Sequence, residues 1–93
     1  MIVEIKKDRE RGVIEYLEKT KEVKVSFPDK EIEKKIKKYL TSKKEYWRAT
    51  DAKLIGFEEI IKMYPYENED SFKGALLELF GRFGIWVDWD TER

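Results

Sequence analysis

The chain contains no cysteine and no histidine. The first absence excludes a disulfide framework, and the two together exclude zinc or iron sites built on thiolate or imidazole ligands. They also remove the usual acid–base group of neutral pH and the strongest side-chain nucleophile. Ser26, Ser42 and Ser71 have no histidine to activate them, and each falls at a helix boundary, where capping accounts for it. The five glycines never reach the spacing of a dinucleotide fingerprint or a phosphate-binding loop. No catalytic, cofactor or metal residue is therefore assigned, and a non-enzymatic protein is expected.

Long apolar runs are missing as well. Nothing approaches the ~18 residues of a membrane span, and the opening MIVEIKK is too poor in apolar residues for a signal peptide. The expected location is cytoplasmic. Glutamine does not occur, and Asn68 is the single asparagine. Loss of amides and cysteine beside abundant Lys and Glu is the composition of heat-adapted proteins, because dehydrating ions costs less at high temperature. A thermophilic source is expected.

What is present is charge and aromatic surface. Twenty basic residues balance twenty acidic ones, and three Trp, five Tyr and five Phe supply apolar area enough to offset ordering entropy. Ninety-three residues predict a single domain, 1–93, with a thin core. With disulfides and thiolate or imidazole metal sites excluded, self-association is the remaining route to further burial.

Residues 2–7 (IVEIKK), a charged turn from Asp8 to Gly12, residues 13–18 (VIEYLE) and the alternating Val23, Val25 and Phe27 predict three antiparallel strands. Pro28 and Asp29 open a helix whose apolar face is Ile32, Ile36, Tyr39 and Leu40, ending near Thr41-Ser42. Glu31–Lys35 and Glu33–Lys37 are spaced as i,i+4 ion pairs. Residues 46–50 read as a strand and 50–53 as a turn. Leu54 to Tyr64 satisfies both helical and strand patterns, with a strand over 57–64 favoured by its isoleucines, Gly56 and Pro65.

Asn68 caps a helix running to Phe83, with Phe72, Ala75, Leu76, Leu79, Phe80 and Phe83 as its apolar stripe and Gly84 as its stop. A strand over 85–89 follows, so the last third reads as a βαβ unit. The fold class is α+β: an antiparallel meander, a helix, a further β segment, a helix and a C-terminal strand, with the helices packed on one sheet layer. Val25, Phe27, Ile36, Leu40, Leu76, Leu79, Phe80 and Val87 are the expected core.

Three features bear on function. Gly74, Leu77 and Gly81 lie opposite the apolar stripe, within roughly 60° of one another at 100° per residue. Close approach of a second backbone would explain all three; glycines tolerated on a wet face are the alternative. Charge is also uneven: residues 1–50 carry 15 basic and 10 acidic side chains, and 51–93 carry 5 and 10. Opposed halves suit a homodimer that pairs them.

The basic excess lies in 30–48, where Lys34, Lys35, Lys37, Lys38, Lys43 and Lys44 run into Tyr46, Trp47 and Arg48. Lys34, Lys35, Lys38, Lys43, Lys44, Trp47 and Arg48 form a candidate nucleic-acid surface, with phosphates on the cations and bases on the aromatic rings. It is secondary to the homodimer. Finally, Asp88 and Asp90 are spaced to share one strand face roughly 7 Å apart. Such a pair could hold Mg²⁺ or Ca²⁺, with Glu92, Glu58 or Glu59 adding a third oxygen, but a solvated acidic edge suffices to explain them.

Overall fold

The computed structural model describes the backbone of residues 1–49 and 58–93, and the side chains of 1–45 and 62–93. Strands β1 (Ile2–Lys7), β2 (Glu10–Leu17) and β3 (Glu22–Ser26) form the antiparallel meander. Helix α1 (Lys30–Thr41) follows, then β4 (Lys44–Ala49) and β5 (Glu58–Met63), helices α2 (Glu69–Leu77) and α3 (Leu79–Phe83), and β6 (Trp86–Asp88). A 3₁₀ turn, Trp89–Thr91, ends the order. The fold is α+β, with a main sheet ordered β3-β2-β1-β6 and a separate ribbon of β4 and β5.

Alternation along the meander sends Val3, Ile5, Ile14, Tyr16 and Val23 to the helix-covered face, where all are buried. Phe27, at the exit from β3, is buried with them. Asp29 caps α1, accepting from the Glu31 and Ile32 amides. Ile36, Tyr39 and Leu40 then point to the core, as their spacing predicts. Neither Glu31–Lys35 nor Glu33–Lys37 closes to an ion pair. Glu33 instead accepts from the Phe27 amide at 3.0 Å and meets Lys30 at 3.4 Å, which holds the β3–α1 corner.

Gly12 departs from its expected place in the turn. The turn is the tighter Asp8-Arg9, with Asp8 left-handed at φ 55°, and Gly12 sits inside β2 opposite Ile5. A Cβ at Gly12 would run into the Ser26 carbonyl and come within 2.6 Å of the Phe27 ring. The glycine is the space over which the chain leaves the sheet.

The second helical region is not one continuous helix to Phe83. Asn68 and Ser71 form a reciprocal capping box at its start. At Glu78 the amide reaches back to both Ala75 and Leu76, so the turn tightens and α3 begins on a shifted register. Phe72, Ala75, Leu76 and Leu79 stay buried, but Phe80 swings out to 51% exposure. The expectation of a buried Phe80 is therefore corrected, and Val25 and Val87 are only half-buried. Gly84, left-handed at φ 68°, ends α3 as predicted.

The expected βαβ unit is also corrected. β5 pairs with β4 in the ribbon, whereas β6 joins β1 antiparallel, so β5 and β6 share no sheet. The β reading of 57–64 agrees with β5; the turn expected at 50–53 lies outside the described residues.

Gly12→Ala should cost about 3 kcal/mol through overpacking, since both the Ser26 backbone and the Phe27 ring stand in the way. Urea unfolding checks this. A loss under about 0.5 kcal/mol would mean that the β3–α1 corner yields freely.

Candidate interaction surface

The broken helix exposes an apolar surface that a continuous one would have hidden in part. Leu77 is 66% exposed, Phe80 51% and Trp86 54%. Phe80 and Trp86 pack together with ring centres 4.2 Å apart and planes tilted by 39°. Together with Leu76, Ile85, Val87 and Trp89 they line a groove of about 370 Å³ between α2–α3 and the edge strand β6. Gly74 and Gly81 are both exposed, and a Cβ on either would meet nothing within 4 Å. The candidates Gly74, Leu77 and Gly81 thus sit on the open side of the helices, away from the core. Phe80 and Trp86 were missed; the adjacent Phe80 was assigned to the core stripe, and Trp86 carried no periodic signal beyond its strand.

No family model matches the sequence, and no curated protein or solved structure matches the chain.

A latch of polar groups fixes the groove's helical wall. The Tyr39 hydroxyl donates to Glu78 Oε2 at 3.0 Å, with the Ala75 carbonyl oxygen 3.2 Å away. Arg82 Nε donates to the same carboxylate at 3.1 Å, and its guanidinium lies 4.6 Å from the centre of the Tyr39 ring. The Tyr39 bond, then Arg82, holds the Glu78 carboxyl below its ordinary range. The latch therefore ties α1 to the residue at which α2 passes into α3.

The nucleic-acid candidates lie on α1, on the short link after it and on β4. Lys34, Lys35 and Lys38 are exposed on α1. Lys43 lies over the Tyr64 ring at 5.2 Å and Lys44 over Tyr39 at 5.3 Å, so both cations already face aromatic rings of this chain. Trp47 and Arg48 lie in β4, but their side chains fall outside the described residues. The cations of a hollow lined by Lys21, Lys43, Lys62, Tyr64 and Tyr66 are likewise engaged: Lys21 donates to the Glu67 carbonyl and Lys62 meets Glu45 at 3.5 Å.

Asp88 and Asp90 do not share a strand face. β6 stops at Asp88, whose carboxylate accepts from the Asp90 amide at 3.3 Å and so caps the 3₁₀ turn. Glu92 is engaged by Lys73 at 2.6 Å. The side chains of Glu58 and Glu59 lie outside the described residues, and no trio of metal-ligating side chains occurs among those described.

Behind the latch the core is aromatic. Tyr16 stacks on Phe72 with centres 4.2 Å apart, and Tyr66 meets both edge-on. The Tyr16 and Tyr66 hydroxyls are buried with no partner among the described residues. Burial, then the bond to Glu78, pushes the Tyr39 phenol up to about 12, and burial above all pushes Tyr66 up to about 12. Unfolded tyrosine ionises near 10. A raised folded pKa contributes stability that is intact below about pH 10 and is lost as pH climbs through about 12. The melting temperature should therefore hold to about pH 10 and then fall steeply toward pH 12, with tyrosinate absorbance appearing in step with unfolding. Tyr66→Phe should soften that fall and be neutral or stabilising by about 1 kcal/mol at neutral pH, since it removes an unpaired buried hydroxyl. A marked loss of stability in Tyr66→Phe would show that the hydroxyl is paired.

Proposed function

We propose that the protein is a non-enzymatic interaction module whose stable form is a two-fold homodimer, joined through the groove between α2–α3 and β6. The observation that carries this reading is the contiguous exposure of Leu77, Phe80 and Trp86. Single exposed leucines are ordinary, but a packed aromatic pair beside an exposed leucine and an apolar groove is the composition of an interface core.

A second copy suits this surface better than an unrelated partner for two reasons. Under two-fold symmetry the same patch must be both knob and hole, and here protruding Leu77, Phe80 and Trp86 border the groove that could receive them. The open ground at Gly74 and Gly81 would let two helices cross at close range. The opposed charges of the two halves of the chain add long-range complementarity. Lys and Glu enrichment with a single amide side chain, Asn68, and no cysteine supports a heat-adapted setting, in which dimerisation supplements a thin core. No helix among the described residues is long and apolar enough to cross a membrane.

Sedimentation equilibrium should find a dimer at micromolar concentration, burying more than the ~1,600 Å² of a standard interface. Its melting temperature should rise with protein concentration. Leu77→Glu should dissociate the dimer or unfold the chain. Gly74→Leu separates the two readings of the glycines: at a solvated site it should stabilise the helix by up to about 1 kcal/mol, whereas at an interface it should weaken association. A folded wild-type monomer at micromolar concentration, or a more stable Gly74→Leu chain, overturns the proposal.

A further inference from the structure

On the sheet face turned away from the helices, the register sets three side chains in one row across three strands. Trp86 in β6 lies directly opposite Lys6 in β1, and Lys6 lies directly opposite Arg11 in β2. Directly opposed residues of an antiparallel pair have Cβ atoms only about 5 Å apart, and like charges in that position destabilise the sheet. Lys6 against Arg11 is such a pair. Arg9, in the turn joining the two strands, adds a third cation.

These three residues and Trp86, with Asp8 as the single carboxylate on the wall, line an open hollow of about 500 Å³. Among the described residues, Lys6, Arg9 and Arg11 make no ion pair and no side-chain hydrogen bond, in contrast to the lysines beside Tyr64 and Tyr66. Three exposed cations thus gather around one carboxylate, Asp8, with which none of them closes an ion pair among the described residues.

Trp86 gives the hollow a second chemistry. It also borders the apolar groove, where the Phe80 ring packs against it at a 39° tilt. Phe80 thus backs the indole from the groove while the indole forms part of the wall of the cationic hollow. A braced, half-exposed aromatic ring at the end of a row of cations fits a ligand with alternating planar and anionic parts.

We propose that this hollow is a binding site for single-stranded nucleic acid, with the phosphates on Lys6, Arg9 and Arg11 and one base stacked on Trp86. Duplex would present its phosphates but keep its bases stacked inside, away from the indole. The site lies within one chain and shares only Trp86 with the proposed dimer groove, so seating the indole in a partner would compete with base stacking but leave the three cations free. It is also distinct from the lysines of α1.

The test is fluorescence anisotropy of a labelled oligothymidylate of about ten nucleotides, titrated with the full chain at several salt concentrations. Three phosphate contacts at about 0.7 counterions each give an expected log–log salt slope near −2, with micromolar binding at low salt that weakens steeply as salt rises. Arg9→Glu with Arg11→Glu should weaken binding at least tenfold and reduce the slope by about 1.4. Lys34→Glu with Lys38→Glu should change it less than about twofold, since those lysines lie outside the site. Trp86→Ala should weaken the complex about tenfold, and Trp86→Phe should restore most of that, because any flat ring offers a stacking face.

No binding by wild-type chain at about 100 μM and low salt overturns the proposal. So does a double arginine variant that binds as wild type, or a loss produced by the α1 variant instead. If Trp86→Ala proves unfolded by circular dichroism, Trp86→Phe and the arginine variant decide between the outcomes. Equal displacement by heparin and by unlabelled oligonucleotide of matched charge would reduce the hollow to a general polyanion patch and overturn the stacking role.

Discussion

The structure depends on the close passage of the Ser26-Phe27 backbone over Gly12. A strand residue with any side chain at that position would hold the chain off the sheet. Because it is glycine, Phe27 drops into the core and Glu33 closes the corner by accepting from the Phe27 amide. Asp29 can then cap α1 at an angle that lays Ile36, Tyr39 and Leu40 against the sheet. Tyr39 in turn reaches Glu78 and fixes the junction of α2 with α3. The direction of the groove wall therefore follows, through a short series of contacts, from one missing Cβ in β2.

Features that rest on neighbours in sequence could be read in advance. The meander, the Asp29 and Asn68 caps, the amphipathic face of α1 and the Gly84 stop all follow from local periodicity and backbone preference. What depended on neighbours in space could not. Gly12 looked like a turn residue because nothing in its own segment reveals Phe27 above it. Phe80 fits a 100° stripe perfectly well, and only the tightening at Glu78 turns it outward. β5 and β6 flank a helix, which is the pattern of a crossover unit, yet their sheet partners are β4 and β1.

The same division holds for the candidate surfaces. Gly74, Leu77 and Gly81 were legible as an anomaly on a wet helix face, since two glycines and a leucine there oppose helix propensity and solvation alike. Their aromatic neighbours were not, because Phe80 and Trp86 meet only through the return of the chain to the sheet edge. The density of lysine in 30–48 drew attention to α1, whereas Lys43 and Lys44 turn out to face tyrosine rings. Lys6, Arg9 and Arg11 are unremarkable in sequence and become a cluster only through the β1–β2 register. Trp86 stands where the apolar groove and the cationic hollow meet, so a change in its rotamer would be felt on both.

The position of β1 between β2 and β6 sets an order on folding. Its first neighbour is the next strand in the chain, but its second arrives about eighty residues later, and the Glu4 amide bonds the Thr91 hydroxyl across a separation of 87 residues. During synthesis the meander and α1 can assemble while the outer edge of β1 remains unpaired. That edge is closed only when Trp86–Asp88 and the 3₁₀ turn return and Ile2 and Arg93 exchange backbone bonds. Such distant closure slows folding, because the loop entropy is lost before the contacts form. Until then the half-made sheet offers its bare edge to any extended strand nearby, so the last strand is also the chain's protection against joining the wrong one.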